Sequence, residues 1–284
     1  MIIAEINGGL GNQLFQYANG LAIAKKTNQE LILDLSMFSY GCGREYQLDK
    51  LRIEPCRTKI YYTKRINNKF VRVVVKGTEE IIKKIRITGY NIIHDINSFQ
   101  MPNVENNKNI YIKGHWISHK YFEKYENDIR KSFQLKEKSE SLNEFIKAAS
   151  MENSVALHVR RGDYTKLGWC LPNKYYYQAI EQMEKLVDKE MKYYIFTDDL
   201  EFSKELFEEI MKDKSVIYVK EMYELSDIEE LFAIASCKNQ IIANSTFSWW
   251  GAWLNVNSNK QVIAPKINGW DYNRIPAEWN LIEC

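Results

Sequence analysis

A chain of 284 residues with 45% hydrophobic and 27% charged residues has a globular composition and is long enough for two compact domains. The formal net charge of +2 argues against a protein that binds nucleic acid through its overall charge. The five cysteines are scattered without a Cys-x-x-Cys pair, which argues against a disulfide framework or structural zinc and favours a reducing compartment.

No stretch approaches the roughly 20 apolar residues of a membrane span, and the chain starts without the basic segment of a signal peptide. We therefore expect a cytoplasmic protein. Residues 57–86 are strongly basic, with lysines and arginines between β-branched residues. The simpler interpretation is a solvated basic face. The alternative is a patch that contacts an anionic membrane surface or a lipid-diphosphate acceptor.

The first half begins with a predicted strand over residues 2–6, a glycine turn at 8–13 and a helix over 14–26. This order opens a Rossmann-like unit, but Leu14 stands where a dinucleotide fingerprint needs its third glycine. One interpretation is a close-packed turn that needs glycine for a positive φ. The other places backbone amides and the side chains of Asn12 and Gln13 next to a ligand.

Other elements of the first half are less regular. Strands are predicted at 31–35 and 109–113, and Ser118 should cap a helix that runs to about residue 133. Residues 36–108 give no clear pattern, and the polar residues 136–143 indicate the approach to a domain boundary.

The second half alternates strands and helices, which predicts a parallel sheet with right-handed crossovers. The predicted strands cover residues 155–160, 193–197, 215–219, 240–243 and 261–264, and the predicted helices cover 173–190, 200–212, 226–237 and 246–255. The tail, residues 270–284, is expected to pack as an irregular segment or a short helix. The tryptophans at 249, 250 and 253 and the tyrosines at 175–177 are expected to pack in the core.

The apolar run at residues 155–159 leads directly into Arg160, Arg161, Gly162 and Asp163. Ligands of open α/β sheets bind at the carboxyl ends of strands, and a guanidinium offers phosphate two parallel charge-assisted hydrogen bonds. The alternative interpretation of this loop is an ordinary surface ion pair between Arg161 and Asp163.

Two more polar segments follow predicted strands of the second half. Asp198 and Asp199 end one strand, and Asn244, Ser245 and Thr246 open a helix whose free amides favour an anion. Together with the arginines they predict a cradle for a diphosphate, and a nearby carboxylate would accept the N–H groups of guanine. The sequence contains no Asp-x-Asp, so arginine rather than a metal is expected to neutralise the diphosphate. The alternative role for Asp198 and Asp199 is to cap the next helix.

These segments, taken in order, resemble the bacterial α-1,2-fucosyltransferases of glycosyltransferase family 11. The matching segments are residues 9–17, 114–116 with 120–122, 158–164, 196–199 and 244–254. The resemblance implies an α/β fold of the GT-B class, with two Rossmann-like domains facing a cleft. Residues 1–145 would form the acceptor-side domain, and residues 146–284 the domain that binds GDP-fucose.

The resemblance also implies an activity: inverting transfer of fucose from GDP-fucose to O2 of a galactose, without metal or other cofactor. The acceptor would be a galactose-containing oligosaccharide, free or lipid-linked, as in O-antigen or other glycan biosynthesis. Arg160 would hold the β-phosphate and stabilise the charge that grows on the departing GDP. Asp163 is the candidate general base, and its alternative role is to orient Arg160 or Arg161.

The resemblance assigns the other site residues as well. The donor site would contain His158 beside the guanine or ribose, Ser245 and Thr246 on phosphate oxygens, and also Arg161, Asp198, Asn244 and Phe247. Glu230 stands where many relatives have an aspartate thought to contact guanine. The acceptor side would contain Gly11, Asn12 and Gln13, and His115, Trp116 and Trp169 are candidates for stacking on a sugar.

Three other functions fit parts of the sequence. The first is a GT-B enzyme that uses another nucleotide sugar or attacks another acceptor hydroxyl. The second is a non-catalytic protein that binds a nucleotide or a glycan. The third is a protein that binds nucleic acid through residues 57–86. The near-neutral net charge disfavours the last of these.

Overall fold

The computed structural model describes residues 1–40, 43–54, 57–58, 77, 81, 87–95, 99–104, 109–267 and 274–284. The chain divides into two compact units, each described below by itself. Unit 1 comprises Met1–Lys136 with Asp271–Arg274, and unit 2 comprises Glu137–Trp270 with Ile275–Cys284. Most of the basic region at 57–86, and with it the predicted membrane patch, lies outside the described residues.

Unit 1 contains a parallel sheet of five strands in the order β3-β2-β1-β5-β4. The strands are β1 (Ile2–Glu5), β2 (Leu31–Asp34), β3 (Arg57–Thr58), β4 (Asn91–His94) and β5 (Ile110–Lys113). The helices are α1 (Leu10–Thr27), α2 (Ser36–Tyr40) and α3 (Glu126–Ser132), with 3-10 turns at Leu48–Lys50, His119–Tyr121 and Glu123–Tyr125. β1 and β2 are buried along their whole length, as their apolar sequences require.

Two helix predictions in unit 1 need correction. Helix α1 begins at Leu10 rather than at residue 14, so Asn12 and Gln13 lie in its first turn. Ser118 does cap a turn, by accepting from the amide of Lys120, but the expected continuous helix is broken at Phe122. The φ and ψ of Phe122 are −131° and 9°, which are not helical, so only α3 continues as an α-helix.

Unit 2 contains a parallel sheet of six strands in the order β11-β10-β9-β6-β7-β8. The strands are β6 (Ser154–Val159), β7 (Lys192–Thr197), β8 (Ser215–Tyr218), β9 (Asn239–Ile241), β10 (Val262–Lys266) and β11 (Asn280–Glu283). The helices are α4 (Glu140–Met151), α5 (Gly162–Leu167), α6 (Asn173–Leu186), α7 (Leu200–Phe207), α8 (Val219–Met222), α9 (Asp227–Ser236) and α10 (Thr246–Leu254). The predicted alternation and parallel sheet are confirmed.

The order of strands creates a switch point in each sheet. In unit 2 the chain adds β7 and β8 on one side of β6, then continues with β9, β10 and β11 on the other. Strand order therefore reverses between β6 and β9, where open α/β sheets bind ligands at the carboxyl ends of the strands. In unit 1 the corresponding reversal lies between β1 and β5.

Three features of unit 2 differ from the predictions. The tail contributes β11, which pairs in parallel with β10, so the expected irregular or short helical tail is wrong. Helix α4 was missed; Ser139 caps it, and its buried face carries Leu142, Phe145 and Ala149. The compact units divide at 136/137, before this helix, whereas the predicted boundary at 145/146 would cut through it.

Aromatic residues fill the interior of unit 2. The tryptophans at 249, 250 and 253 are buried on α10, and Trp249 and Trp253 stack with ring centroids 6.2 Å apart, which confirms their expected role in the core. Tyr175 and Tyr176 are also buried, but Tyr177 is 39% exposed and departs from the expectation. Across the described residues, no helix combines the length and apolarity needed to cross a membrane.

Candidate active site

Strand β6 carries the first candidate side chains to the switch point of unit 2. The strand is buried along its length and ends at Val159. His158 is the last polar residue within it, and Arg160 is the first residue after it. The hydroxyl of Tyr176, on α6, lies close to the backbone of Arg160. The short helix α5 then turns the chain back, with the left-handed Gly168 (φ 68°) ending it. This turn fixes where the arginine leaves the sheet.

The guanidinium of Arg160 lies between two carboxylates. Its Nη1 is 2.6 Å from Oδ2 of Asp198, and its Nη2 is 2.5 Å from Oδ1 of Asp163. The ring of Tyr164 lies beside it, with 5.3 Å from the ring centroid to Cζ of Arg160. Arg160 therefore occupies a defined position while about a quarter of its side chain, 24%, stays accessible. The Asp163 contact fits its predicted alternative role of orienting an arginine.

Arg161 has a different environment. Its Nε donates to Oδ2 of Asp199 at 3.1 Å, and its Cζ lies 3.5 Å from the ring centroid of Phe202. The alternative interpretation, an ion pair between Arg161 and Asp163, is wrong, because Asp163 bonds to Arg160 and Asp199 bonds to Arg161. Asp199 also caps α7 by accepting from the amide of Phe202, which confirms the capping interpretation for this aspartate. Arg161 thus joins β6 to α7.

The start of α10 lies beside this arginine cluster. Ser245 is the N-cap and accepts from the amide of Phe247 at 3.3 Å, while Thr246 and Phe247 form the half-buried first turn. The hydroxyl of Tyr164 is 3.3 Å from the backbone oxygen of Asn244 and also interacts with the side chain of Ser245. Tyr164 therefore links Arg160 to the N-terminus of α10. The predicted guanidinium and helix start belong to one cluster.

Two buried polar atoms of this cluster have no hydrogen-bond partner within the described part of the chain. They are Nδ1 of His158 and Oδ1 of Asn244, and both residues are at least nine-tenths buried. The other amide atom of Asn244 is used, because Nδ2 donates to the backbone oxygen of Trp169 at 2.7 Å. Orphaned buried polar atoms are rare in native proteins and call for a partner. Both atoms lie next to the switch point of unit 2, where ligands of open α/β sheets bind.

Burial determines the charge state of two groups here. Desolvation lowers the pKa of His158 to about 4, with Asp198 opposing the change, so the imidazole is neutral at pH 7. The centroid of the His158 ring lies 5.8 Å from the centroid of the Phe247 ring. Desolvation raises the pKa of Glu230, in the first turn of α9, to about 7, although Lys220 opposes the change. Glu230 shares electrostatic contacts with Lys220 and Asp198, so it belongs to the same charged neighbourhood.

In unit 1, two predicted acceptor-side residues are buried in the protein. Gln13 is fully buried, and its side-chain amide bonds to the backbone of Gly8, Glu45 and Gln47. The ring of Trp116 is also buried, and it packs edge-on against Tyr121. The predictions that Gln13 faces an acceptor and that Trp116 stacks on a sugar conflict with this geometry. Both side chains hold their loops in place instead.

Asn12 and His115 lie nearer the surface, at the switch point of unit 1. Asn12 is half-buried beside Gly8, where an added Cβ would lie 3.1 Å from Nδ2 of Asn12, and Gly8 has a φ of 75°. The neighbouring Gly11 is buried in the first turn of α1. His115 is exposed, yet the protein atoms packed around its ring lower its pKa by desolvation, with Asp95 opposing this. A neutral imidazole at this edge is able to accept a proton or a hydrogen bond.

The segment that carries His115 is tightly constrained. Gly114 has a φ of 121°, and a Cβ there would lie only 2.2 Å from Cβ of Asp95. Oδ2 of Asp95 accepts from the amide of Trp116 at 2.9 Å, and Trp116 itself has a positive φ of 57°. A positive φ is unusual for a bulky residue, so this loop is held in its conformation by its contacts.

Sequence reasoning missed several side chains of the unit 2 cluster. The sequence pattern gives no role to Tyr164 and predicts only core packing for Tyr176. Lys220, on α8, interacts electrostatically with His158 and Glu230, and nothing in its local sequence indicates this. Trp169 is 56% exposed, and its ring packs edge-on against Tyr164 with centroids 5.6 Å apart. The exposed face of the Trp169 ring leaves room for a sugar, and stacking on a sugar stays a prediction.

The carboxylates of the cluster are arranged around cations. Asp198 and Asp163 contact Arg160, and Asp199 contacts Arg161. Among the residues that the structure describes, no group of three or more His, Cys, Asp or Glu side chains is arranged to hold a metal ion.

Comparison with known proteins identifies the family. Residues 1–280 match the model of Glycosyl transferase family 11. The alpha-1,2-colitosyltransferase of Escherichia coli is 29% identical over 301 residues, covering 100% of this chain and 99% of that protein. The O-antigen biosynthesis glycosyltransferase WbnK of Escherichia coli is 29% identical over 292 residues, covering 92% of each chain.

Solved structures share the fold at low sequence identity. Fucosyltransferase NodZ from Bradyrhizobium has a TM-score of 0.51 at 16% identity, covering 89% of this chain and 92% of its own. A mutant of Arabidopsis thaliana FUT1 in complex with GDP has a TM-score of 0.54 at 12% identity, covering 92% of this chain and 69% of its own. These likenesses and the two parallel sheets confirm the expected α/β fold of the GT-B class. Because the family model spans almost the whole sequence, the chain belongs to glycosyl transferase family 11.

Proposed function

We propose that this glycosyltransferase transfers fucose from GDP-fucose, with inversion, to O2 of a galactose in a glycan. One observation carries the proposal: an accessible, rigidly held arginine and a helix N-terminus form one cluster at the switch point of unit 2. That arrangement suits two linked phosphates, because the guanidinium takes one and the helix amides take the other. Oδ1 of Asn244 and Nδ1 of His158 offer the ligand further hydrogen bonds.

The chemistry requires stabilisation of the leaving group. In the inverting reaction the acceptor oxygen bonds to C1 of the sugar as the bond from C1 to the β-phosphate oxygen breaks. The acceptor hydroxyl loses its proton to a base, and negative charge builds on the β-phosphate. A preorganised cation whose contact strengthens as this charge builds lowers the barrier. Arg160 is placed for this role, and α10 adds its partial positive charge.

We further propose that the reaction needs no metal. The site offers arginine and helix amides to the diphosphate, and its aspartates already bind guanidinium groups. Asp163 bonds to Nη2 of Arg160, which favours an orienting role over that of general base.

A second candidate function is transfer of colitose, the 3-deoxy analogue of fucose. The similarity to an alpha-1,2-colitosyltransferase along the whole chain favours this candidate. Both candidates use the same phosphate contacts and the same type of linkage, so they differ only around C3 of the donor sugar.

The test is to incubate the purified protein with GDP-fucose, GDP-colitose or UDP-galactose and a panel of free and lipid-linked galactosides, with and without EDTA. We expect α-1,2-linked product from a GDP-sugar donor at the same rate in EDTA. Product from GDP-colitose alone would favour the second candidate. Product from UDP-galactose alone, or none with any donor, would contradict the proposal, and loss of activity in EDTA that Mg²⁺ restores would contradict its metal-free part.

A further inference from the structure

Asp198 bonds to the arginine loop with both of its oxygens. Oδ2 is 2.6 Å from Nη1 of Arg160, and Oδ1 accepts from the backbone amide of Arg161 at 2.8 Å. One carboxylate at the end of β7 therefore fixes both the backbone of the loop after β6 and the guanidinium that extends from it. The Asp198 side chain is 23% exposed, and both contacts are hydrogen bonds to a charged carboxylate, which are stronger than those between neutral groups.

The charge of Asp198 makes it an unsuitable direct ligand for a diphosphate. A carboxylate and a phosphate repel each other unless a cation lies between them. In this cluster the cation is Arg160. It bonds to Asp198 through Nη1, and a guanidinium has further N–H groups that are able to donate to a phosphate. The effect of Asp198 on the donor is therefore expected to pass through Arg160. This differs from the direct donor contact that the sequence suggested for it.

Gly162 supplies independent support. An added Cβ at Gly162 would lie 2.6 Å from Oδ2 of Asp198 and 3.3 Å from its Cγ. Its φ lies outside the left-handed range, so the backbone there accepts any residue. Glycine is therefore needed at residue 162 for steric reasons and not for backbone conformation. A larger residue would collide with Oδ2 of Asp198, the oxygen that bonds to Arg160.

Asp163 also contacts the guanidinium, but in a more exposed position. It lies three residues along the chain from Arg160, and 48% of its side chain is exposed, against 23% for Asp198. Exposed ion pairs contribute little because water screens them and the side chains lose entropy. Asp198 should therefore hold the arginine more firmly than Asp163 does.

We infer that Asp198 is a positioning residue that aims Arg160 at the second phosphate of the nucleotide, and that Gly162 is the spacer that makes this contact possible. The inference rests on the proposed function, since it takes the ligand to be a nucleoside diphosphate. It predicts a specific signature: loss of Asp198 weakens recognition of the second phosphate and leaves the rest of the nucleotide unaffected.

The experiment is calorimetric titration of the full chain with GDP and with GMP. Asp198→Asn should weaken GDP binding by about 10- to 100-fold, the scale of one charge-assisted contact, and change GMP binding by less than about 2-fold. In the Arg160→Ala background the same substitution should have almost no further effect on GDP. Asp163→Asn should weaken GDP binding less than Asp198→Asn. Asp188→Asn, at an exposed aspartate on the loop after α6, is the matched control.

Gly162→Ala provides a second, independent variant. It should weaken GDP binding in the wild-type background and have little effect in the Asp198→Ala background, where the crowded oxygen is absent. Circular dichroism establishes that each variant is folded, and Gly162→Ala tests the inference alone if Asp198→Asn does not fold. Equal losses for GDP and GMP would overturn the inference, and so would additive effects of Gly162→Ala and Asp198→Ala.

Failure of the inference is distinguishable from failure of the proposed function. If the wild-type protein does not prefer GDP to GMP, or Arg160→Ala does not remove that preference, the proposed diphosphate site is wrong. If Arg160→Ala removes the preference while Asp198→Asn and Gly162→Ala keep it, only the positioning role is wrong.

Discussion

Arg160 and Arg161 are neighbours in sequence, but their guanidinium groups have different surroundings. Arg161 stacks on Phe202 and bonds to Asp199, which ties two elements together. The ring of Tyr164 lies beside Arg160, and the hydroxyl of Tyr164 contacts the residue before the N-cap of α10. Arg160 also bonds to two aspartates, and part of its side chain remains accessible. The motif predicted that arginine would serve this site. Which carboxylate meets which arginine depends on the ends of β6 and β7, and the local sequence does not reveal it.

His158 and Glu230 should have opposite effects on stability as the pH changes. The pKa of His158 is lowered from 6.5 to about 4, so its contribution to stability falls as the pH drops through that window. The pKa of Glu230 is raised from 4.5 to about 7, so its contribution falls as the pH rises through that window. In the wild-type protein the two effects partly cancel between about pH 4.5 and 6.5.

In the variant Glu230→Gln, the effect of His158 on the pH dependence of stability should no longer be partly cancelled by Glu230. Relative to wild type, the variant should gain about 2–3 kcal/mol in free energy of unfolding between pH 4.5 and pH 7.5, because it lacks the cost of ionising a buried carboxyl. Urea unfolding at several pH values in this range measures the difference. Parallel curves for the two proteins would contradict the assigned pKa of Glu230.

Tyr111 should stabilise unit 1 by donating a hydrogen bond to the buried side chain of Asp34. Its hydroxyl lies 2.5 Å from Oδ2 of Asp34 and 3.1 Å from Oε2 of Glu5, and its single proton goes to the nearer oxygen. Tyr111→Phe removes this donor from a buried carboxylate and should cost about 1–3 kcal/mol. Chemical denaturation measures the cost. Tyr177→Phe is the control, because Tyr177 is 39% exposed and its hydroxyl lies 3.5 Å from the backbone oxygen of Leu206; equal losses in both variants would refute the role.

At the scale of elements, buried parallel strands were the most predictable feature. Apolar runs such as those of β6 and β7 are recognisable because both faces of the sheet are covered. Edge elements were harder: β11 is four residues long, and it becomes a strand through its pairing with β10. The early start of α1 was hidden because its first turn contains Gly11 and Asn12, which are poor helix formers that also suit a turn.

Helices α9 and α10 approach each other closely at Gly251. A Cβ there would lie 2.5 Å from Cγ2 and 2.9 Å from Cβ of Ile234, so the helices would have to separate. We expect Gly251→Ala to destabilise the protein by about 1–3 kcal/mol despite the better helix propensity of alanine.

Gly20, on α1, is the comparison for this prediction. A Cβ there would meet Cβ of Ala4 and Cδ1 of Leu31 at 3.0 Å, and the leucine can shift. Gly20→Ala should therefore be the milder change in thermal and urea unfolding. A greater loss for Gly20→Ala than for Gly251→Ala would contradict the packing argument.

At the scale of the whole molecule, two parallel sheets each place loops at a switch point. The general rule for such sheets correctly indicated that Arg160 and Ser245 follow neighbouring strands, β6 and β9. Burial was not predictable in the same way: Gln13 and Trp116 have side chains suited to binding, but the fold uses them internally. Such a difference depends on the packing of whole loops, and the sequence pattern does not specify it.

Nucleotide binding should involve unit 2 specifically. Saturating GDP should slow amide hydrogen exchange at residues 158–164 and 244–248, because the ligand contacts these segments and stabilises their folded state. Residues 2–5, which form β1, should exchange at the same rate with and without GDP. Protection confined to unit 1 would place the donor elsewhere. The Arg160→Ala variant, which should show little protection at the same GDP concentration, is the control.

If the proposed function is right, catalysis depends above all on the guanidinium of Arg160, which stabilises the phosphate group of the departing nucleotide. The most direct measurement is the turnover number of Arg160→Ala with saturating GDP-sugar donor and acceptor, in EDTA, beside the wild-type enzyme. We expect a loss of at least ~10²-fold, the scale of removing one such group, and a large loss for Arg160→Lys too, since an ammonium lacks the planar fork. A folded Arg160→Ala enzyme that turns over at a near-normal rate would contradict it.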